Sequence, residues 1–277
     1  DKEKDADYFP LMVDYEERFY AAGKILGSRF LRREGRPSEE AILSGRVIDR
    51  TLRPLFDQRL RREVQVVVTV LQIDKETDLD FITLLTASTA LATSEIPWNG
   101  PVAGVTLYYD GSQLKISPKA SELAGNWQKE GAFTSFVSGT KDRINMIELE
   151  GIDTDEKTVV DAYAKAQEEI AKLIDWQNGI IKEIGRPKAT IALHNPDPEL
   201  IKVIRAFLSD KLDATVYVKG KVEREEKMAA LKQAMLGYLM EKKFDEQARD
   251  AAEHVWETEV DETVHRNILK HDKRPDG

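Results

Sequence analysis

Segments typical of β-strands lie almost entirely in the first two thirds of the chain, and this distribution restricts the possible folds more than any other feature. The run at residues 63–73 is rich in β-branched residues and predicts a buried strand, and further strands are predicted at residues 8–13, 102–109, 113–116, 133–138 and 144–148. After Pro198 the strand signals almost vanish, and apolar residues between positions 228 and 239 recur at helical spacing. The pattern predicts an α+β domain followed by a small all-α domain.

Helices are predicted between and after these strands. Asp80 is a candidate cap for a helix over residues 81–93, and a long helix from about residue 155 to 184 ends at the run G-R-P. The dipeptide Asp110-Gly111 predicts a hairpin turn between two of the strands. We therefore assign residues 1–185 to the α+β core and residues 186–270 to the all-α domain.

A third predicted helix carries a row of arginines. Ser38 is a good helix cap, and Glu39 and Glu40 suit the positive end of the helix dipole. Further along, Arg46, Arg50 and Arg53 are spaced four and three residues apart, which places them on one face. Asp49 leaves an alternative open, because it lies three residues from Arg46 and four from Arg53. Those arginines would then form ion pairs on a solvated surface.

The segment before this helix is rich in arginine and contains one aromatic residue. Phe30 offers a face for a nucleobase, and Arg32, Arg33 and Arg36 offer planar cations for phosphates. Residues 28–62 contain ten arginines and five acidic residues, although the whole chain has a formal net charge of −9. A basic region in an acidic protein steers a polyanion to one place, so we predict binding of single-stranded nucleic acid.

The sequence gives little support to phosphate-binding loops, disulfides or metal sites. The chain has no phosphate-binding G-x-x-x-x-G-K-[ST] motif, and without cysteine it has no disulfide or thiolate metal site. His254 and His265 lie too far apart along a helix to bind one metal directly. Asp74, Asp78 and Asp80 suggest a magnesium site, but a plain loop whose last aspartate caps a helix is the alternative. No apolar run is long enough to cross a membrane, so we expect a cytoplasmic protein.

Two runs resemble a known family. F-L-R-R-E-G-R-P-S-E at residues 30–39 and R-V-I-D-R-T-L-R-P-L-F at residues 46–56 are similar to the first core domain of bacterial polynucleotide phosphorylases. The family usually has F-F-R-R where this chain has F-L-R-R, so Leu31 departs from the pattern, and Arg29 is an additional residue before it. The resemblance implies a ribonuclease PH-like core, with layers like those of ribosomal protein S5 domain 2. It also implies that opening strands are missing, and that residues 271–277 begin a second such core.

The resemblance also implies a function. The family degrades single-stranded RNA, including mRNA, by phosphorolysis from the 3′ end, using inorganic phosphate and Mg²⁺ and releasing nucleoside diphosphates in a reversible reaction. Its members form homotrimers, and partners in RNA-degradation complexes are a further expectation. Phe30 would stack on a base, and Arg32 and Arg33 would hold the backbone; Arg36, Arg46, Arg50 and Arg53 complete the candidate RNA-binding set.

The resemblance places the chemistry in the second core, with the magnesium ligands expected there. This chain would then be the guiding and assembly half of a polyribonucleotide nucleotidyltransferase, without catalytic residues and inactive alone. The alternatives are an RNA-binding or ring-assembly module that performs no chemistry, and an exosome-like ring subunit.

Overall fold

The computed structural model describes residues 8–24, 37–74, 76–123, 129–191, 193 and 196–275. The chain divides into two compact units, Asp1–Leu193 and His194–Gly277. The first unit contains all the strands of the described residues and the second contains only helices. The predicted α+β fold with a small all-α part is confirmed. The domain limits of 1–185, 186–270 and 271–277 stay predictions.

A parallel pair of strands begins the first unit. Strand β1 (Leu11–Glu17) pairs with β2 (Val64–Val70), with Val13 opposite Val66. Parallel strands need a long crossover connection, and the connecting residues include helix α1 (Glu39–Leu52) and the short 3₁₀ turn Arg53–Leu55. The first strand begins three residues later than the sequence suggested. Phe9 precedes it as a buried side chain, with its ring 4.8 Å from that of Phe56.

The second sheet is antiparallel, with strand order β4-β3-β5-β6. Its strands are β3 (Ala103–Tyr109), β4 (Leu114–Ile116), β5 (Phe133–Gly139) and β6 (Ile144–Gly151). The predicted hairpin between β3 and β4 is confirmed. The Asp110 carboxylate accepts hydrogen bonds from the backbone N–H groups of Ser112 and Gln113, and Gly111 has a φ of +93° that suits glycine.

Helices cover both faces of this sheet. Helix α2 (Leu79–Thr93) belongs with α1 to a core that includes Phe136 and Met146 of the sheet, while α4 (Glu156–Ile184) packs against Val105 and Val137 on the opposite face. A short helix, α3 (Ala120–Leu123), follows β4. Asp155 caps α4, with its carboxylate accepting from the Thr158 N–H. The prediction that Asp80 caps α2 is wrong, because Asp78 accepts hydrogen bonds from the N–H groups of Asp80 and Phe81.

The chain after α4 continues to pack on the first unit. The Lys188 ammonium donates to the carbonyls of Leu91, Ala92 and Ser94 at 2.8–3.0 Å, which places a cation at the C-terminal end of α2. Burial lowers the pKa of Lys188. Backbone bonds from Arg186 to Thr93 and from Ala189 to Glu95 fix the same segment.

The second unit is a group of helices around one apolar core. Its helices are α5 (Pro198–Leu208), α6 (Leu212–Val216), α7 (Lys221–Glu241) and α8 (Glu246–His271). Ile204, Met235 and Leu239 are fully buried, with Trp256 nearby in the same cluster. The predicted helical row of apolar residues is confirmed as part of this core. Across the described residues, no helix has the length and apolar character needed to cross a membrane.

Gln177 joins three elements inside the first unit, and its substitution should destabilise the fold. Its amide donates to the Val102 carbonyl at 2.8 Å, and its carbonyl oxygen accepts from the hydroxyls of Ser88 and Thr89. Gln177→Leu should lower the free energy of unfolding by about 1–3 kcal/mol, because buried partners lose their hydrogen bonds. Urea denaturation followed by circular dichroism measures the change. The control Gln167→Leu, near the surface, should cost less than Gln177→Leu; equal losses would contradict this account.

Candidate nucleic-acid interface

Helix α1 forms the centre of the candidate interface. Ser38 caps it as predicted, with its hydroxyl accepting from the Ala41 N–H at 3.1 Å. Gly45 faces β1, where a Cβ atom would lie 3.4 Å from the Cβ of Tyr15, so this glycine permits a close approach. The face with Ala41, Gly45 and Ile48 is buried. The opposite face is therefore held toward solvent.

Two of the predicted arginines lie on that outer face. Arg46 and Arg50 are exposed, and neither has a hydrogen-bond or ion-pair partner among the residues that the structure describes. Beside them, Ile42 is 52% exposed and Leu43 is 58% exposed. The outer face of α1 thus combines two available guanidinium groups with apolar surface.

Arg53 has a different environment. Its guanidinium holds both carboxylate oxygens of Asp49, at 3.0 Å and 2.6 Å, and donates to the carbonyls of Phe9 and Leu11. The intrahelical pair that the spacing left open is thus formed by Arg53 and not by Arg46. Since these contacts join the end of α1 to the start of β1, Arg53 has a structural role. An RNA contact by Arg53 stays a prediction.

The remaining predicted residues cannot be compared with the structure. Phe30, Arg32, Arg33 and Arg36 lie outside the described residues. Their proposed stacking and phosphate contacts therefore stay predictions.

A cavity that the sequence did not predict lies beside α1. Its volume is about 430 Å³, and its lining includes Phe19, Lys24, Pro37 and Ser38. Lys24 and Pro37 are the described residues on either side of the arginine-rich segment. Glu16 is also part of the lining, and it pairs with Arg18 at 2.5 Å. The sequence signal for this cavity was weak, because its lining comes from separate parts of the chain.

Further arginines follow α1 in the same basic stretch. Arg59 pairs with Asp57 at 2.6 Å, and Arg61 donates to the carbonyls of Gln58 and Leu60. Arg62 is exposed. The stretch therefore contains both arginines with structural contacts and arginines directed to solvent.

The three aspartates considered for magnesium do not form a ligand set. Asp74 accepts from the N–H groups of Glu76 and Thr77, and these bonds lower its pKa. Asp78 caps α2 and accepts from the Thr106 hydroxyl. Within the described part of the chain, no group of three His, Cys, Asp or Glu residues is arranged to hold a metal ion. The carboxylates present do not fit Mg²⁺, and no magnesium-dependent step is assigned to them.

Asp80 is partly buried, whereas Asp74 is exposed. Burial raises the pKa of Asp80, and the nearby charges of Asp78, Glu148 and Glu17 act in the same direction, while a hydrogen bond with Ser44 opposes them. The carboxyl of Asp80 therefore lies among other acidic groups of the first unit. Asp80 thus has a structural role and belongs to no metal-binding group among the described residues.

Comparison with known proteins shows which proteins this chain is similar to. Residues 1–97 match the 3′ exoribonuclease family, domain 1. The chain is 38% identical over 274 residues to polyribonucleotide nucleotidyltransferase of Bacillus pumilus (strain SAFR-032) and 40% identical over 277 residues to that of Streptococcus agalactiae serotype V. These matches include 99% and 98% of this chain. Over nearly its whole length the chain is therefore similar to a part of polyribonucleotide nucleotidyltransferases.

The match to these relatives extends over both units of the chain. The chain spans 38% of the length of the curated relatives, so it corresponds to a part of a polyribonucleotide nucleotidyltransferase. The resemblance and the ribonuclease PH-like fold expected from the sequence are both confirmed.

The arginines of α1 should separate into two groups on substitution. Arg53→Gln should lower the free energy of unfolding by about 1–2 kcal/mol, because two backbone carbonyls and Asp49 lose a charged donor. Arg46→Gln and Arg50→Gln should each change it by less than about 0.5 kcal/mol. Chemical denaturation of the three variants measures the difference. A loss for Arg46→Gln as large as that for Arg53→Gln would refute the division.

Asp80 should make the stability of the first unit pH-dependent. A raised folded-state pKa favours the protonated form, so this group's contribution is full below the ordinary carboxyl pKa and is lost as the pH rises through the raised value. Asp80→Asn should flatten that decline and increase the free energy of unfolding at neutral pH. Denaturation from about pH 4 to about pH 7 tests this.

The matched control is Asp142→Asn, in the exposed turn between β5 and β6. It should change the free energy of unfolding by less than about 0.5 kcal/mol. A steeper decline with pH in Asp80→Asn than in the unsubstituted chain would contradict the assignment.

Proposed function

We infer that the chain is part of a phosphate-dependent exoribonuclease that shortens single-stranded RNA, including mRNA, from its 3′ end. The inference is supported by the match to a 3′ exoribonuclease family and by relatives named polyribonucleotide nucleotidyltransferase. We further infer that this part guides RNA and contributes to assembly of a homotrimer. In cells, the trimer would act with partners in RNA degradation.

The proposed reaction is phosphorolysis. An oxygen of inorganic phosphate attacks the phosphorus of the 3′-terminal phosphodiester, and the bond from that phosphorus to the 3′ oxygen of the preceding nucleotide breaks. The 3′ oxygen takes up a proton, the RNA is one nucleotide shorter, and a nucleoside diphosphate leaves. Mg²⁺ would offset the phosphate charges. We assign this chemistry to the portion of the relatives that this chain does not span.

The observation that carries the guiding role is the outer face of α1. Arg46 and Arg50 are exposed and have no partner within the described residues. Contact of each guanidinium with a phosphate would release counterions without first breaking an ion pair in the protein. The overall charge of −9 makes such a basic region more selective, because a polyanion is repelled from most of the remaining surface.

A second candidate is a module that binds RNA or assembles a ring and performs no chemistry in any context. Ile42 and Leu43 favour it in part, because exposed apolar side chains beside arginines suit a protein contact. An RNA-binding measurement on α1 variants separates a contact with RNA from a purely structural role.

The binding experiment compares two double variants. Arg46→Gln/Arg50→Gln should weaken binding of oligoadenylate and reduce the slope of log affinity against log salt by roughly 1.4, since about 0.7 per phosphate contact is expected for a single strand. The control, Arg249→Gln/Arg266→Gln on α8, removes the same charge from the second unit and should leave the slope nearly unchanged. Equal slopes in the two variants would overturn the guiding role of α1.

Phe30→Ala tests the base-stacking part of the proposal. It should weaken binding of single-stranded RNA by about 1–3 kcal/mol and leave the salt slope unchanged, because stacking releases no counterions. Fluorescence anisotropy with a labelled oligoadenylate measures both quantities. An unchanged affinity would remove Phe30 from the interface.

An activity assay tests where the chemistry resides. The chain is incubated with end-labelled oligoadenylate and Mg²⁺, with and without phosphate, and ADP is measured. We expect binding without ADP release. Phosphate-dependent ADP release that persists through repurification would place an active site within this chain and contradict the proposal.

A further inference from the structure

Strand β6 forms one edge of the four-stranded sheet. It spans eight residues and pairs only with β5 among the strands of the described residues, so its outer side carries backbone N–H and C=O groups without a neighbouring strand. Proteins usually protect such edges, because an exposed edge invites pairing with another chain. This edge belongs to the first unit, and β6 also contacts helix α1, because the Asn145 amide donates to the Thr51 carbonyl.

The two faces of β6 differ in chemistry. Ile147 lies opposite Val137 and Leu149 lies opposite Ser135, on the face of the sheet that α4 covers. Helix α4 packs on β3 and β5, and its Tyr163 hydroxyl lies 3.3 Å from the Ser135 hydroxyl. At the edge of this layer Ile147 and Leu149 remain 47% and 48% exposed. The edge therefore has an apolar strip beside its free backbone groups.

The other face of β6 is acidic. Glu148 and Glu150 alternate with the apolar pair and are exposed. If two copies of this chain paired their β6 strands, these carboxylates would face each other across the antiparallel ladder, and like charges in that position are destabilising. The same carboxylates would attract a strand with cationic side chains. The charge pattern thus disfavours a second copy and favours a basic partner.

We propose that the outer edge of β6 binds an extended segment of a partner protein in which lysine or arginine alternates with apolar residues. The segment adds a fifth strand to the sheet through backbone hydrogen bonds. Its apolar side chains pack on Ile147 and Leu149, and its cations face Glu148 and Glu150. This surface is separate from the proposed RNA contact.

The experiment uses synthetic peptides and the full 277-residue chain. The probe is an acetylated and amidated peptide, K-V-K-I-K-V, with a fluorescent label. A second peptide, K-P-K-P-K-V, has the same charge but lacks two backbone donors, and a third, E-V-E-I-E-V, reverses the charge. We expect K-V-K-I-K-V to bind at least about five-fold more tightly than either, and to slow amide hydrogen exchange in β6.

Charge reversal on β6 provides the sharper test. Glu148→Lys/Glu150→Lys should reverse the preference, so that E-V-E-I-E-V binds more tightly than K-V-K-I-K-V. The control Glu226→Lys/Glu241→Lys makes the same charge change at exposed positions of α7 and should keep the original preference. If the lysine variant fails to fold, Glu148→Gln/Glu150→Gln serves instead and should abolish the preference.

Three outcomes would overturn the proposal. Equal binding of K-V-K-I-K-V and K-P-K-P-K-V would indicate general electrostatic attraction to an acidic protein. If charge reversal on β6 and charge reversal on α7 change the peptide preference equally, the attraction is again general and not specific to β6. Dimerisation in sedimentation analysis, with protection of β6 amides that no peptide displaces, would show that a second copy occupies the edge.

Discussion

The packing of helix α1 against strand β1 is the contact on which the rest of the candidate interface depends. Gly45 allows the two backbones to approach, and Arg53 fixes the end of the helix to the carbonyls of Phe9 and Leu11. With one face of α1 buried in this way, Arg46 and Arg50 are directed to solvent. Arg53 thus stabilises the fold, whereas Arg46 and Arg50 remain available to bind a polyanion.

Charge is distributed unevenly over the first unit, and this gives separate surfaces different partners. The outer face of α1 presents guanidinium groups, whereas the edge of β6 presents Glu148 and Glu150. Because the protein is acidic overall, a polyanion is repelled from most of its surface and attracted to the outer face of α1. The edge of β6 repels nucleic acid and suits a cationic strand. The two proposed contacts therefore differ in both charge and backbone geometry.

Local signals in the sequence predicted local structure well. Ser38 before two glutamates predicted the start of α1, and Asp110-Gly111 predicted a hairpin, because each depends on a few neighbouring residues. The sequence led to Asp80 as the cap of α2, whereas the structure uses Asp78, a residue of the same type two positions earlier. Sequence alone did not choose a partner for Asp49, which had an arginine at three residues and another at four. Only the approach of β1 made Arg53 its partner, by adding the carbonyls of Phe9 and Leu11.

The sequence pattern did not predict contacts between residues that are far apart in the chain. The parallel pairing of β1 with β2 joins residues about fifty positions apart, and the bonds of Lys188 to the end of α2 span a still longer separation. The exposed edge of β6 was also unforeseen, because strand order depends on the whole sheet. Within the candidate site, α1 was predictable, whereas the structural role of Arg53 was not. The contacts of Phe30, Arg32, Arg33 and Arg36 remain predictions.

The central claim is that RNA is guided by the arginine-rich segment and the outer face of α1. Photo-cross-linking of a 4-thiouridine-containing oligonucleotide to the chain, followed by peptide mapping, tests it most directly. The account predicts cross-links at residues 25–53 that diminish in Arg46→Gln/Arg50→Gln. Cross-links confined to the unit His194–Gly277 would contradict it.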